Sequence, residues 1–209
     1  MTTKDRTYRS SAGIAGGVLL LAIVLWLGID ALFQGEDRTP WLALAAMILV
    51  VPLIVAFTLR PAVFADDDRL RVRNPFRIVV LPWGQVASLA SGYSNEVIAA
   101  SGTKFQLWAL PVSLRDRKKA TRRIAKAERG ERAGGRAGGL GLGLSGGPAP
   151  DEGPARAKND KVMDDLRELA ETRGNAESAQ GEVTVRWAYE IFGPALAGAV
   201  LLAILLATG

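Results

Sequence analysis

The side chains best suited to chemistry in this chain are arginines and lysines, and they cluster twice. Arg69, Arg71 and Arg73 alternate with Leu70 and Val72, and Arg77 follows after Asn74-Pro75-Phe76. Arg115, Arg117, Lys118, Lys119, Arg122 and Arg123 open a longer run to Arg136, which holds ten bases against the three acids Asp116, Glu128 and Glu131. A guanidinium presents planar donors that match carboxylate or phosphate oxygens, so the chemistry on offer is recognition of an anion. The longer run has three readings: a solvated stretch, a surface for anionic lipid, and a nucleic-acid contact. Nucleic acid is the least favoured, because no aromatic side chain lies between Trp108 and Trp187 to stack on a base.

Catalytic constellations are missing. Cys and His are both absent from the 209 residues. Their absence excludes disulfides, Cys/His zinc sites, thiol nucleophiles and histidine relays. Ser, Thr, Tyr, Asp and Lys remain, but no motif sets a nucleophile beside a base. Gly141-Leu142-Gly143-Leu144-Ser145-Gly146 matches the dinucleotide pattern G-x-G-x-x-G, yet a Gly/Arg repeat precedes it and Gly147-Pro148-Ala149-Pro150 follows. The pattern needs a strand before and a helix after, so the match is read as chance. The chain is expected to be no enzyme, with no catalytic residues, no cofactor and no metal.

The elements that must carry the basic residues are set by a partition of the composition. The chain is 49% hydrophobic and 22% charged, with a net charge of +5. The apolar residues fall in three uncharged runs, Ser10 to Ile29, Thr39 to Leu59 and Ile191 to Gly209. About 20 helical residues cross a hydrocarbon core of roughly 30 Å, so three transmembrane helices are expected, at about 11–33, 39–59 and 187–209. Lys4, Arg6 and Arg9 precede the first run, which is too long for a signal-peptide core and is read as a retained span. Of the 26 Lys and Arg, 22 lie between Arg60 and Arg186. Basic residues near span ends stay cytoplasmic, so this is expected to be a multi-pass plasma-membrane protein with its N-terminus and residues 60–186 inside and its C-terminus outside. Trp41, Trp187 and Tyr189 suit the headgroup level. Pro52 should kink the second span. Gly13, Gly16 and Gly17, and Gly193, Ala197 and Gly198, either form close helix contacts or reflect the ordinary abundance of small residues in spans.

Residues 1–60 thus form a tail and a two-helix hairpin, and 61–128 a different kind of unit. Val63 to Ala65, Arg69 to Arg73, Arg77 to Leu81, Val86 to Ala90, Val97 to Ala100 and Lys104 to Trp108 read as five or six strands in a mostly antiparallel meander. Arg69, Arg71 and Arg73 share one face of their strand, and Leu70 and Val72 the other. Asn74-Pro75 makes a turn, and Pro82 stops the next strand. Trp83 is read as a cap on the apolar interior. Trp108 either packs on another element or dips into the membrane surface. The basic stretch to about Glu128 is compatible with a helix. Residues 129–157 are a flexible linker, since 130–157 hold ten Gly and three Pro. Residues 158–174 are an amphipathic helix whose stripe of Val162, Met163, Leu166, Leu169 and Ala170 must bury on the sheet or on a partner.

The string Arg69-Leu70-Arg71-Val72-Arg73-Asn74-Pro75-Phe76-Arg77, then Val80-Leu81-Pro82-Trp83-Gly84-Gln85-Val86 and Trp108-Ala109-Leu110, resembles the bacterial pleckstrin-homology-like (PH-like) domain. The similar subgroup sits on short actinobacterial membrane proteins of the "low molecular weight protein antigen 6" type. The resemblance covers roughly residues 60–115. It implies an α+β module, a small bent antiparallel sheet closed by a C-terminal helix, with Asn74, Pro75, Pro82, Trp83 and Trp108 as fold residues. It brings no catalytic residues. The expected function is a membrane scaffold whose module binds a partner protein or anionic lipid headgroups through Arg69, Arg71, Arg73, Arg77 and the 115–123 bases. The alternative is an accessory subunit of a larger transport or envelope-assembly complex. Partners would be membrane lipids, another protein, or a second copy through the spans.

Overall fold

The computed structural model describes residues 6–111 and 154–208. Bases 115–123, the 129–153 part of the linker and the 141–146 glycine motif lie outside the described residues. In chain order the elements are β1 (Arg6–Tyr8), α1 (Ser11–Gln34), α2 (Thr39–Ile54), β2 (Ala62–Ala65), β3 (Arg69–Arg73), β4 (Arg77–Pro82), β5 (Val86–Ser91), β6 (Asn95–Ala99), β7 (Lys104–Gln106), α3 (Pro154–Arg173), β8 (Thr184–Trp187) and α4 (Tyr189–Ala207).

Helices α1, α2 with its extension to Leu59, and α4 are each long and apolar enough to cross a membrane. Only 11%, 11% and 17% of their most apolar stretches are buried within the protein. Side chains such as Leu19, Trp26, Phe33, Leu196 and Ile204 are exposed. Surfaces this apolar are stable only against lipid tails, so the protein is membrane-associated. Ser10 caps α1 by accepting a hydrogen bond from the Gly13 amide at 3.1 Å. Pro52 is accommodated inside α2, and the irregularity falls just after it, where Val55–Leu59 form a π-helical turn closed by Arg60 N–H donating to Val55 O at 2.9 Å.

Helix α2 is the centre of the membrane bundle. A Cβ on Gly17 would meet Thr58, one on Gly28 would meet Met47, and one on Gly198 would fall within 2.9 Å of the Ile48–Leu49 backbone. Small residues therefore let α1 and α4 approach α2. Gly16 and Gly193 have no atom within 4 Å of that position and do not serve the packing.

The strands form two antiparallel sheets, one ordered β1-β2-β3-β4-β8 and the other β5-β6-β7. Strands β1 and β8, the outermost of the first sheet, come from segments without a strand signature in the sequence, the N-terminal tail and the approach to the third span. The two sheets and α3 share one core of Val63, Leu70, Val72, Val79, Leu81, Trp83, Val97, Phe105, Leu107, Val162, Met163 and Leu166. The alternation in β3 puts Leu70 and Val72 at 0% exposure while Arg69 and Arg71 stay outside. Two buried asparagines hold the return from β7. Asn74 Nδ2 donates to Gln106 O at 2.9 Å, and Asn95 Nδ2 donates to Leu110 O at 2.9 Å. Helix α3 is fastened to β5 by Arg167, which donates to Leu89 O and Ser91 Oγ at 3.3 and 3.2 Å.

Candidate functional site

The arginines of the first cluster divide between the two faces of the larger sheet. In the register Phe64 opposes Arg71, Ala62 opposes Arg73, and Arg73 opposes Ile78. Side chains alternate along a strand, so Arg69, Arg71 and Arg73 share the outer face. Arg77 falls on the opposite face, in line with Val79, and its guanidinium lies 5.8 Å from the centroid of the Phe105 ring. The β3–β4 turn breaks the alternation, which is why Arg77 leaves the group.

Each outer arginine has a different environment. Arg69 is exposed, with its Nε 3.9 Å from Asp66 Oδ2. Arg71 lies over the Phe64 ring, 4.5 Å from its centroid. This cross-strand cation–π pair holds the guanidinium flat on the sheet. Arg73 sits at the membrane end of β3, and its Nε is buried without a hydrogen-bond partner. Burial first, then the positive charges of Arg60, Arg9 and Arg71, lower its pKa below the ordinary guanidinium range. A guanidinium stays protonated under such a shift, so the strain is that of a retained charge.

Sequence reasoning did not single out Arg60. It follows the π-turn, is 8% exposed, and pairs with Glu190 at the start of α4 at 2.7 Å. Its Nε donates to Asn74 O at 3.4 Å, while its Nη2 has no partner. Around this junction Phe57, Phe76, Trp108, Trp187 and Phe192 form a chain of ring contacts 4.9 to 6.1 Å apart. Trp108, 44% exposed, does pack on another element, its ring 5.6 Å from that of Phe57. Ala188 N–H donates to Phe76 O at 2.9 Å, joining the β3–β4 turn to the start of α4.

Trp83 is 1% exposed, and its Nε1 donates to Asp66 O at 2.9 Å. It is a core residue with its polar edge satisfied. Pro82 closes β4 just before it, and Asn74 N–H donates to Arg77 O at 2.9 Å across the turn that contains Pro75. Among the described residues no three acidic side chains are grouped closely enough to hold a metal ion.

Two small antiparallel sheets sharing a core with the following helix, joined to apolar spans, define a membrane-associated protein with a PH-like fold. Residues 60–136 match the family model described as Bacterial PH domain, so this segment is similar to bacterial PH domains. The match begins at Arg60, at the junction itself, and leaves β1, α3 and β8 outside. No curated protein and no solved structure matches the chain.

Proposed function

We propose that this is a non-enzymatic integral membrane protein that holds its PH domain against the cytoplasmic surface, where the domain binds a partner protein or anionic lipid headgroups. The observation that carries this reading is the outer face of β3, where Arg69 and Arg71 are exposed on a strand whose other face is buried. Strand β1 pairs with β2 and β8 with β4, so the chain enters or leaves all three spans from the sheet side. The density of bases between Arg60 and Arg186 supports assigning that side to the cytoplasm. A face of guanidiniums near an anionic leaflet gains roughly 1 kcal/mol per charge, screened by salt.

The test uses the full chain, because residues 60–186 alone would lack β1 and the end of β8. A photocrosslinker placed at Arg71 in native membranes should capture a discrete protein or anionic lipid, and Arg69→Glu should diminish the yield. Equal yields from that position and from exposed Lys104 on β7 would sink the reading.

One feature of α4 favours the second reading, an accessory subunit of a larger membrane complex. Gly193, Leu196, Ala197, Val200, Leu201 and Ile204 line an apolar groove along this helix. A partner span seated there would protect α4 from lipid-phase labelling, and labelling unchanged by detergent extraction would count against it.

A further inference from the structure

Two guanidiniums at the junction carry donors that no partner among the described residues satisfies. Arg60 Nη2 and Arg73 Nε are buried without a partner. Buried donors left unpaired are costly, more so when charged, and native structures meet them with water or a ligand. Arg60 and Arg73 come from different segments that the sheet register brings near one another, since Arg73 opposes Ala62, two residues after Arg60. The positive charges that act on Arg73 are those of Arg60, Arg9 and Arg71, and the one acid is Glu190. Glu190 is already held by Arg60 Nη1 at 2.7 Å and is mostly exposed. The junction therefore keeps an excess of positive charge and two unpaired donors where the π-turn ends and α4 begins.

We infer that Arg60 and Arg73 form a binding site for a phosphate group at the seam between the spans and the PH domain. This deepens the reading above by naming one site and one ligand chemistry, and it rests on that reading for the cytoplasmic side. A phosphate oxygen accepts from guanidinium nitrogens in charge-assisted geometry, and a phosphate diester carries one negative charge to offset the surplus. The neighbouring rings of Phe57, Phe76 and Phe192 would line the path of an acyl chain leaving such a headgroup. Arg60 stays tied to Glu190 with one side of its guanidinium and offers the other, which suits a site built before the ligand arrives.

The experiment reconstitutes the full chain in nanodiscs of phosphatidylcholine, with or without phosphatidylglycerol, and reads retained lipid by native mass spectrometry. Wild type should retain phosphatidylglycerol over phosphatidylcholine, and Arg73→Gln should reduce that retention about tenfold, the factor expected for a lost charge-assisted bond. Lys104→Gln, on β7 and away from the arginine face, should leave it unchanged. A second arm, on wild type alone, measures thermal stability in phosphatidylcholine discs against inorganic phosphate. Stabilisation there with no selective lipid retention makes free phosphate the ligand; selective retention makes it a lipid headgroup. Both outcomes uphold the site. Absence of both overturns it, and so does an equal loss for Lys104→Gln and Arg73→Gln. Selective retention that Arg73→Gln leaves intact also overturns the site, and leaves the general arginine-face reading standing. The wild-type arm decides the matter even where Arg73→Gln fails to fold.

Discussion

The guanidinium of Arg38 donates to the backbone carbonyl of Leu205 at 3.0 Å, across 167 positions of sequence. The same group reaches Thr208 Oγ1 at 2.9 Å. Arg38 lies in the short connection between α1 and α2, so it places a positive charge at the C-terminal end of α4, where helix carbonyls lack partners and the macrodipole is negative. The hairpin and the third span are thereby locked at the end remote from the PH domain.

Arg38→Ala should fray that end. The expected cost is about 0.3–1 kcal/mol, the usual size of a charge at a helix terminus. Hydrogen exchange in nanodiscs should quicken at the amides from Ile204 to Thr208, with the amides of β3 unaffected.

The close approach of α4 to α2 leads to a paired expectation. Gly198→Leu should push the helices apart, because the new Cβ would meet the Ile48 carbonyl carbon at 2.8 Å, and overpacking of this kind costs typically 1–3 kcal/mol. Gly193→Ala, with no atom within 4 Å, should be neutral. Thermal unfolding in detergent separates the two, and equal effects would show that α4 does not pack through its Gly198 side.

Trp83→Ala should be among the most damaging single substitutions in the PH domain. The indole is 1% exposed and bonded to Asp66 O, so removing it leaves a cavity and an unpaired carbonyl. Large-to-small changes of this type cost about 3–5 kcal/mol. Trp108→Ala, at a 44% exposed ring, should cost much less in the same unfolding measurement.

Tyr8 supplies a pH dependence. Burial, then the negative charge of Asp165, raises its phenol above the usual 10.0, with Arg6 opposing through a hydrogen bond and its charge. The folded protein thus holds the proton more tightly than the unfolded chain. Its contribution is fully present below pH 10 and falls as pH rises from there through the raised folded value. Unfolding followed from pH 9 to pH 11 should show a downward slope that Tyr8→Phe reduces.

Much of this architecture is written locally in the chain. The three spans follow from uninterrupted apolar length, and the β3 face from strict alternation, because each depends only on residues within one element. Trp83 is legible as a core residue from Pro82-Trp83 alone. Strands β1 and β8 are not legible, since three and four residues carry too little period to identify a strand. They become strands because the edges of β2 and β4 offer unpaired backbone groups. Asn95 is hidden for a similar reason: its burial depends on residues 107–110 folding back over β6 to present the Leu110 carbonyl.

The candidate site shows the same division. Side-chain period and the charge partition along the chain are enough to line one face of a strand with arginines beside a membrane anchor. Long-range packing sets the departure of Arg77 from that face, the seating of Gly17 and Gly198 but not Gly16 or Gly193 on α2, and the burial of Arg60 Nη2 and Arg73 Nε without described partners. Those outcomes depend on the register across a turn, the rotation of one helix against another, and the joining of a span end to a sheet. Each is set by contacts between distant segments, which no local period of hydrophobicity or charge encodes.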